Sequence, residues 1–258
     1  MFRRASVIGV CVALLGMAVP VLADEALDKA FDALKTFDWG QDRHALAPID
    51  NAVIASHGDA AARADLEKRL AAVLATDAPQ CAKDFVCRKL SLIGTAESVP
   101  ALAKLLGDEK LSHMSRYALE RMPCAEAVAA LRDALPKVGG VLKVGVINSL
   151  GVRRDAQSTQ ALVALLGDGD KQIAAAAAAA LGSIGTPEAA KALGDFQGKA
   201  PAELKTAAAD AYLVCAERLL AAGKKAEALA IYKALSGDDQ PKHIKMAAMR
   251  GMLSAAGK

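Results

Sequence analysis

Aromatic residues are scarce, with five Phe, three Tyr and one Trp in 258 residues. So few rings argue against a surface that stacks sugars, and a glycan- or cell-wall-associated module is the weakest of the readings considered. Alanine and leucine carry most of the 53% apolar content, while β-branched and aromatic strand formers are sparse, so the composition favours helix. Histidine is scarcer still. His44, His57, His113 and His243 include no pair at helical spacing and no HExxH, which removes a preformed zinc site. There is no CxxCH, GxSxG, Ser-x-x-Lys, GxGxxG or phosphate-cradling loop. Gly167-Asp168-Gly169-Asp170 lacks the later ligands and closing Glu of a calcium loop, and reads as a helix-joining turn. No catalytic residue, cofactor or metal is expected.

An excess of charge is also missing. The formal charge is +3, and leaving out Arg3 and Arg4 reduces the 32 basic residues to 30 against 29 acidic ones. That balance gives no argument for a nucleic-acid partner. Residues 1–23 combine Arg3 and Arg4, an apolar run from Val7 to Val19, a break at Pro20 and the small residues of Val21-Leu22-Ala23. This is the pattern of a secretory signal peptide cleaved after Ala23. The run falls short of the roughly 20 residues that span a bilayer, so no stable membrane span is expected after cleavage. The mature chain is expected in the periplasm or secreted.

What the chain does have is repetition. Residues 94–108, GTAESVPALAKLLGD, return as PCAEAVAAL from Pro123, as GVRRDAQSTQALVALLGD from Gly151 and as GTPEAAKAL from Gly185. Starts 29, 28 and 34 residues apart mean stacked copies of one supersecondary unit. The spacing predicts helix pairs at 80–93 with 96–106, 110–122 with 124–135, 141–150 with 156–166, and 170–184 with 187–195. Leu102, Leu131, Leu162 and Leu193 recur at one register position and are the expected core ladder. The alanine run 174–180 predicts a close helix approach. Ahead of the repeats, Leu27, Phe31, Leu34 and Phe37 mark one helix, and two more follow before residue 76.

ALGSIGTPEAAKAL at 180–193 resembles a HEAT repeat of the short, roughly 30-residue class. That resemblance implies an all-α solenoid of stacked antiparallel helix pairs, a HEAT-like superhelix used as a binding scaffold. HEAT units usually carry a basic residue near the start of the first helix; the matching positions here are Lys83, Ser112, Gly140 and Ala174, so no regular polar ladder is expected. Tyr212, Cys215, Ala216, Leu219, Gly223, Ala228 and Tyr232 resemble one degenerate tetratricopeptide-like hairpin. The expected organisation is a signal peptide at 1–23, a divergent helical cap at 24–76, the repeat array at 77–200, and tetratricopeptide-like capping helices at 201–258. In the last helix Ile244, Ala248, Met252 and Met249 are the inward candidates.

The functional reading is an exported, non-enzymatic scaffold for a protein partner. Short HEAT-like repeats also occur in bilin lyases, which keeps chromophore attachment as an alternative. Recognition would use the groove lined by the second helices, through Glu97, Lys104, Arg132, Lys137 and Gln160. Arg153 and Arg154 occupy a turn three residues longer than its counterpart at Gly94, and would read an anion or carboxylate at the rim. Asp155 is the acid beside them. Cys81 and Cys87 are a possible disulfide. Six helical residues rise about 9 Å, beyond the roughly 7 Å between bridged Cα atoms, so the pairing requires the helix to begin after Cys81.

Overall fold

The computed structural model describes residues 18–257, with side chains from Glu25 to Gly257. Residues 1–17, with the basic start and most of the apolar run of the expected signal peptide, lie outside the described residues. The expected cleavage point after Ala23 falls within α1 (Ala18–Leu34). A 3-10 turn at Arg43–Leu46 leads into α2 (Ala47–Ala55), which precedes α3 (Ala60–Leu74). Asp59 starts α3, accepting from the amides of Ala61 and Ala62 at 3.0 Å each. On this segment Phe31, Leu34, Phe37, Leu66, Leu70 and Val73 are all buried, as their helical spacing demands.

The repeats follow. First helices are α4 (Gln80–Ile93), α6 (Ser112–Arg121), α8 (Gly140–Val152) and α10 (Lys171–Ile184). With α5 (Val99–Ala103), α7 (Ala125–Ala134), α9 (Thr159–Ala164) and α11 (Pro187–Lys199) they make four pairs. The chain closes with α12 (Lys205–Ala221), α13 (Lys225–Ala234) and α14 (Lys242–Ala255). Among the described residues there is no strand. Helices α4, α6, α8, α10 and α12 pack in succession as one layer, while α5 meets α7 and α9 meets α11 in the other. This is an α-solenoid. The second helices α5 and α9 are shorter than their apolar patterns suggest, while α11 runs past the expected residue 195. Residues 96–98 and 156–158 wind as 3-10 turns ahead of α5 and α9, and the Leu-Leu-Gly ending of α9 tightens into another.

Leu102, Leu131, Leu162 and Leu193 are each fully buried in a core that extends from Ala30 to Ala248. Helices this short are marginal alone, so that shared core supplies the stability. The alanine run does bring helices together: a Cβ on Gly151 of α8 would stand 2.9 Å from the Ala180 Cα. A Cβ on Gly182 would stand 2.4 Å from the Ala211 carbonyl oxygen of α12. Gly185 then ends α10 in the left-handed region at φ 68°, a conformation that favours glycine. Thr186 starts α11 by accepting from the Ala189 amide at 3.1 Å, with Pro187 in the first turn. In α14, Ile244 and Ala248 are buried and Met252 is half-buried, but Met249 faces outward.

Candidate interaction groove and polar seam

Two kinds of surface emerge from this stack. Between α9 and α11 lies an open groove of about 1090 Å³. Thr159, Gln160, Val163 and Ala164 form one wall, and Lys191, Ala192, Asp195 and Phe196 the other. On α11 the charges Glu188, Lys191, Asp195 and Lys199 fall on one helical face and alternate in sign along it. The groove therefore offers an apolar floor with charged partners of both signs above it. Gln160 was legible as a member. Phe196 and the α11 charges were not, although their spacing carried the signal.

The second surface is internal. Contacts near one repeat length apart tie neighbouring units together as far as α8 and the turn after it. Glu67 of α3 accepts from the amides of Thr95 and Ser98 at 2.6 and 3.2 Å and from the Thr95 hydroxyl. Arg116 donates to the Gly145 carbonyl at 3.1 Å, and Ser149 to the Glu120 carboxylate at 2.6 Å. Burial pushes Arg116 below its ordinary value, and the neighbouring Glu120 charge opposes the shift. Arg132 pairs with the buried Asp155 at 2.7 Å, and Ser158 donates to the other oxygen of that carboxylate. No single recurring basic residue builds this seam. Arg116, Arg132, Glu67 and Ser149 build it from different positions.

The residues expected to bind a partner accordingly divide. Glu97, Lys104 and Lys137 are exposed around α5 and after α7, and the groove between α9 and α11 is lined without them. Arg132 is half-buried and engaged with Asp155. Arg153 turns inward, donating to the carbonyls of Glu120, Met122 and Cys124 at 3.2, 2.6 and 3.4 Å. It closes the end of α6, whose last carbonyls lack helical partners. Only Arg154 of that pair is exposed. Asp155, the acid expected beside the pair, belongs to Arg132.

The possible disulfide is corrected by the helix boundary. Helix α4 begins at Gln80, ahead of Cys81, and both Cys81 and Cys87 are free thiols. A continuous helix holds them too far apart to bridge. Burial pushes the Cys87 thiol up to about 12 and that of Cys215 to about 11, so both stay protonated and unreactive at neutral pH. Among the described residues no three His, Cys, Asp or Glu side chains converge as a metal cluster.

On α4, Asp84 lies between these cysteines with its Oδ1 buried and unpartnered. Burial pushes its carboxyl above the ordinary value, opposed by Arg88 and His113. A native value above the unfolded one means that folding favours the protonated form. Stability from this group is therefore present below the unfolded value and lost as pH rises through the native one. Asp84→Asn should raise the melting temperature at pH 7, and that gain should vanish as the pH falls below about 4. Melting curves of both proteins across pH check this; a variant that melts lower at pH 7 would contradict it.

The fold defines the class, an all-α repeat protein of stacked helix pairs. Residues 140–212 match the family model for HEAT repeats, and the chain carries HEAT repeats over that span. The match reaches into α12, the helix read from sequence as the start of a tetratricopeptide-like hairpin. No match is found among curated proteins. Among solved structures the chain is similar to lipovitellin, from a study of its lipid–protein interactions, at 16% identity and a TM-score of 0.59. That alignment covers 95% of this chain and 28% of lipovitellin's length, and it describes the fold alone. An engineered protein aligns at 19% identity over 81% of this chain and 96% of its own, with a TM-score of 0.39. Human deoxyhypusine hydroxylase aligns at 14% identity over 94% of this chain and 100% of its own, with a TM-score of 0.37. Neither of these two carries an argument about function.

Proposed function

We propose that this protein is an exported, non-catalytic scaffold that holds a protein partner in the groove between α9 and α11. The observation that carries the proposal is the groove itself, an apolar floor beneath the alternating charges of α11. An amphipathic helix fits such a groove, with apolar anchors at i, i+3, i+4 and i+7 and charges along its flanks. The seam from Glu67 to Asp155 fixes the units that precede the groove, so its α9 wall is held before a partner arrives.

The test uses protein purified from its native host and the partner recovered from envelope extracts by crosslinking. Export requires an intact mass that begins at Asp24; a mass that includes Arg3 overturns that part. Ala164→Trp fills the groove from an exposed position on α9 and should weaken the partner about tenfold or more, as blocking a central anchor does. An equally bulky change at exposed Lys68 on α3 should not. Equal affinities for the two variants would remove the groove from the reading.

A further inference from the structure

On the opposite layer, where α8, α10 and α12 run side by side, a second pocket of about 340 Å³ is lined by Asn148, Arg154, Ser183 and Arg218 over a floor of small residues. We infer that this pocket is a binding site for an oxyanion, a phosphate or carboxylate group held between the guanidinium groups of Arg154 and Arg218.

The backbone supplies the first argument. Helix α8 ends with the Arg154 amide donating to the Gly151 carbonyl and the Asp155 amide to that of Leu150, at 3.0 and 3.1 Å. That pairing places Arg154 at the position after the helix where glycine is favoured, and its φ is 50°. Gly185 occupies the corresponding place at the end of α10. Among the described residues Arg154 is the one non-glycine residue with positive φ, a conformation that costs an L-residue about 1 kcal/mol or more. An arginine is therefore presented at the mouth of this pocket at a cost that glycine would avoid.

The second argument is what these side chains do not touch. Nearby arginines are occupied: Arg153 by three carbonyls, Arg132 by Asp155, Arg116 by Gly145 and Arg121 by Tyr117. Among the described residues the side chains of Arg154, Arg218, Asn148 and Ser183 make no hydrogen bond or ion pair, and no acidic residue lines the pocket. Two arginines, an asparagine and a serine without side-chain partners thus line one small space. Guanidinium forks match the paired oxygens of carboxylate and phosphate. The helix ends beside them carry partial negative charge, which lowers the cost of holding two like charges close together. The same partial charges oppose an anion, so an oxyanion would be held by the guanidinium forks and would offset the repulsion between them. At about 340 Å³ the space lies near the lower end for small-molecule sites, about 300–1,000 Å³, so it has room for the group that bears the anion.

The experiment is a titration of the full chain, followed by nitrogen-15 NMR, with inorganic phosphate in one arm and succinate in the other. Saturable shifts are expected at the amides of Asp155, Ser183 and Gly185, and the arm that saturates at lower concentration identifies the source as phosphate or carboxylate. Arg154→Gly suits the left-handed backbone, so it should melt at or above the wild-type temperature while weakening the anion about tenfold, the loss expected for a charge-assisted hydrogen bond. Arg218→Gln should weaken binding similarly, and Arg218→Lys, which keeps charge but not the fork, should fall between. Absence of saturable shifts with both probes overturns the site. So does unchanged affinity in a well-folded Arg154→Gly protein.

Discussion

Replacing Leu131 or Leu162 by Ala should lower stability by about 2–5 kcal/mol each. Both side chains are fully buried within the common core, and each substitution leaves a cavity that its neighbours fill only in part. Contacts in a stacked array are local, so unfolding departs from a single all-or-none step. Urea denaturation followed by circular dichroism gives the total loss. Hydrogen exchange by mass spectrometry should place it first in α7 for Leu131→Ala and in α9 for Leu162→Ala. Unchanged denaturation and exchange would mean that these leucines do not hold the units together.

The second large effect is expected at Glu67. Its side chain is almost fully buried, and its carboxylate receives two amides and a hydroxyl from the turn that joins α4 to α5. Glu67→Ala leaves those donors unpaired in the interior and should cost about 2–3 kcal/mol. Glu67→Gln keeps one acceptor oxygen but turns a donor toward a donor, so its loss should be intermediate. The same urea titration at neutral pH checks both. A loss for Glu67→Ala no larger than about 0.5 kcal/mol, the usual range for a surface change, would show that the turn holds itself.

Much of the fold was legible because it depends on spacing. The four leucines fall at buried positions and Thr186-Pro187 at the start of α11, as their spacing implies, whereas the Gly-Asp endings lie beyond the ends of α5 and α9. The polar seam was not legible, since its members sit at different positions in each unit. Glu67 does from α3 what Arg153 does from the end of α8: each satisfies backbone groups of a neighbouring unit. A search for one repeated residue type misses such substitutes. Arg153 and Arg154 show the same limit at smaller scale. Adjacent in sequence and alike in chemistry, they are separated by a turn that sends one guanidinium inward and leaves the other outside. The groove was legible as a place, through Gln160, but its second wall depends on how α11 rotates against α9.

The two halves of the stack resist deformation differently. Through α8, successive units are bolted by directional bonds such as Arg116 to Gly145 and Arg132 to Asp155, which lengthen or break when one unit shears past another. Beyond α8, α10 meets α12 through the bare contact of Gly182 with Ala211, and an exposed Lys171–Glu203 pair adds little rigidity. Alignment is therefore set by bond direction in the amino-terminal half and by the fit of small residues in the carboxyl-terminal half, where one added side chain at Gly182 would push α12 and everything beyond it out of line.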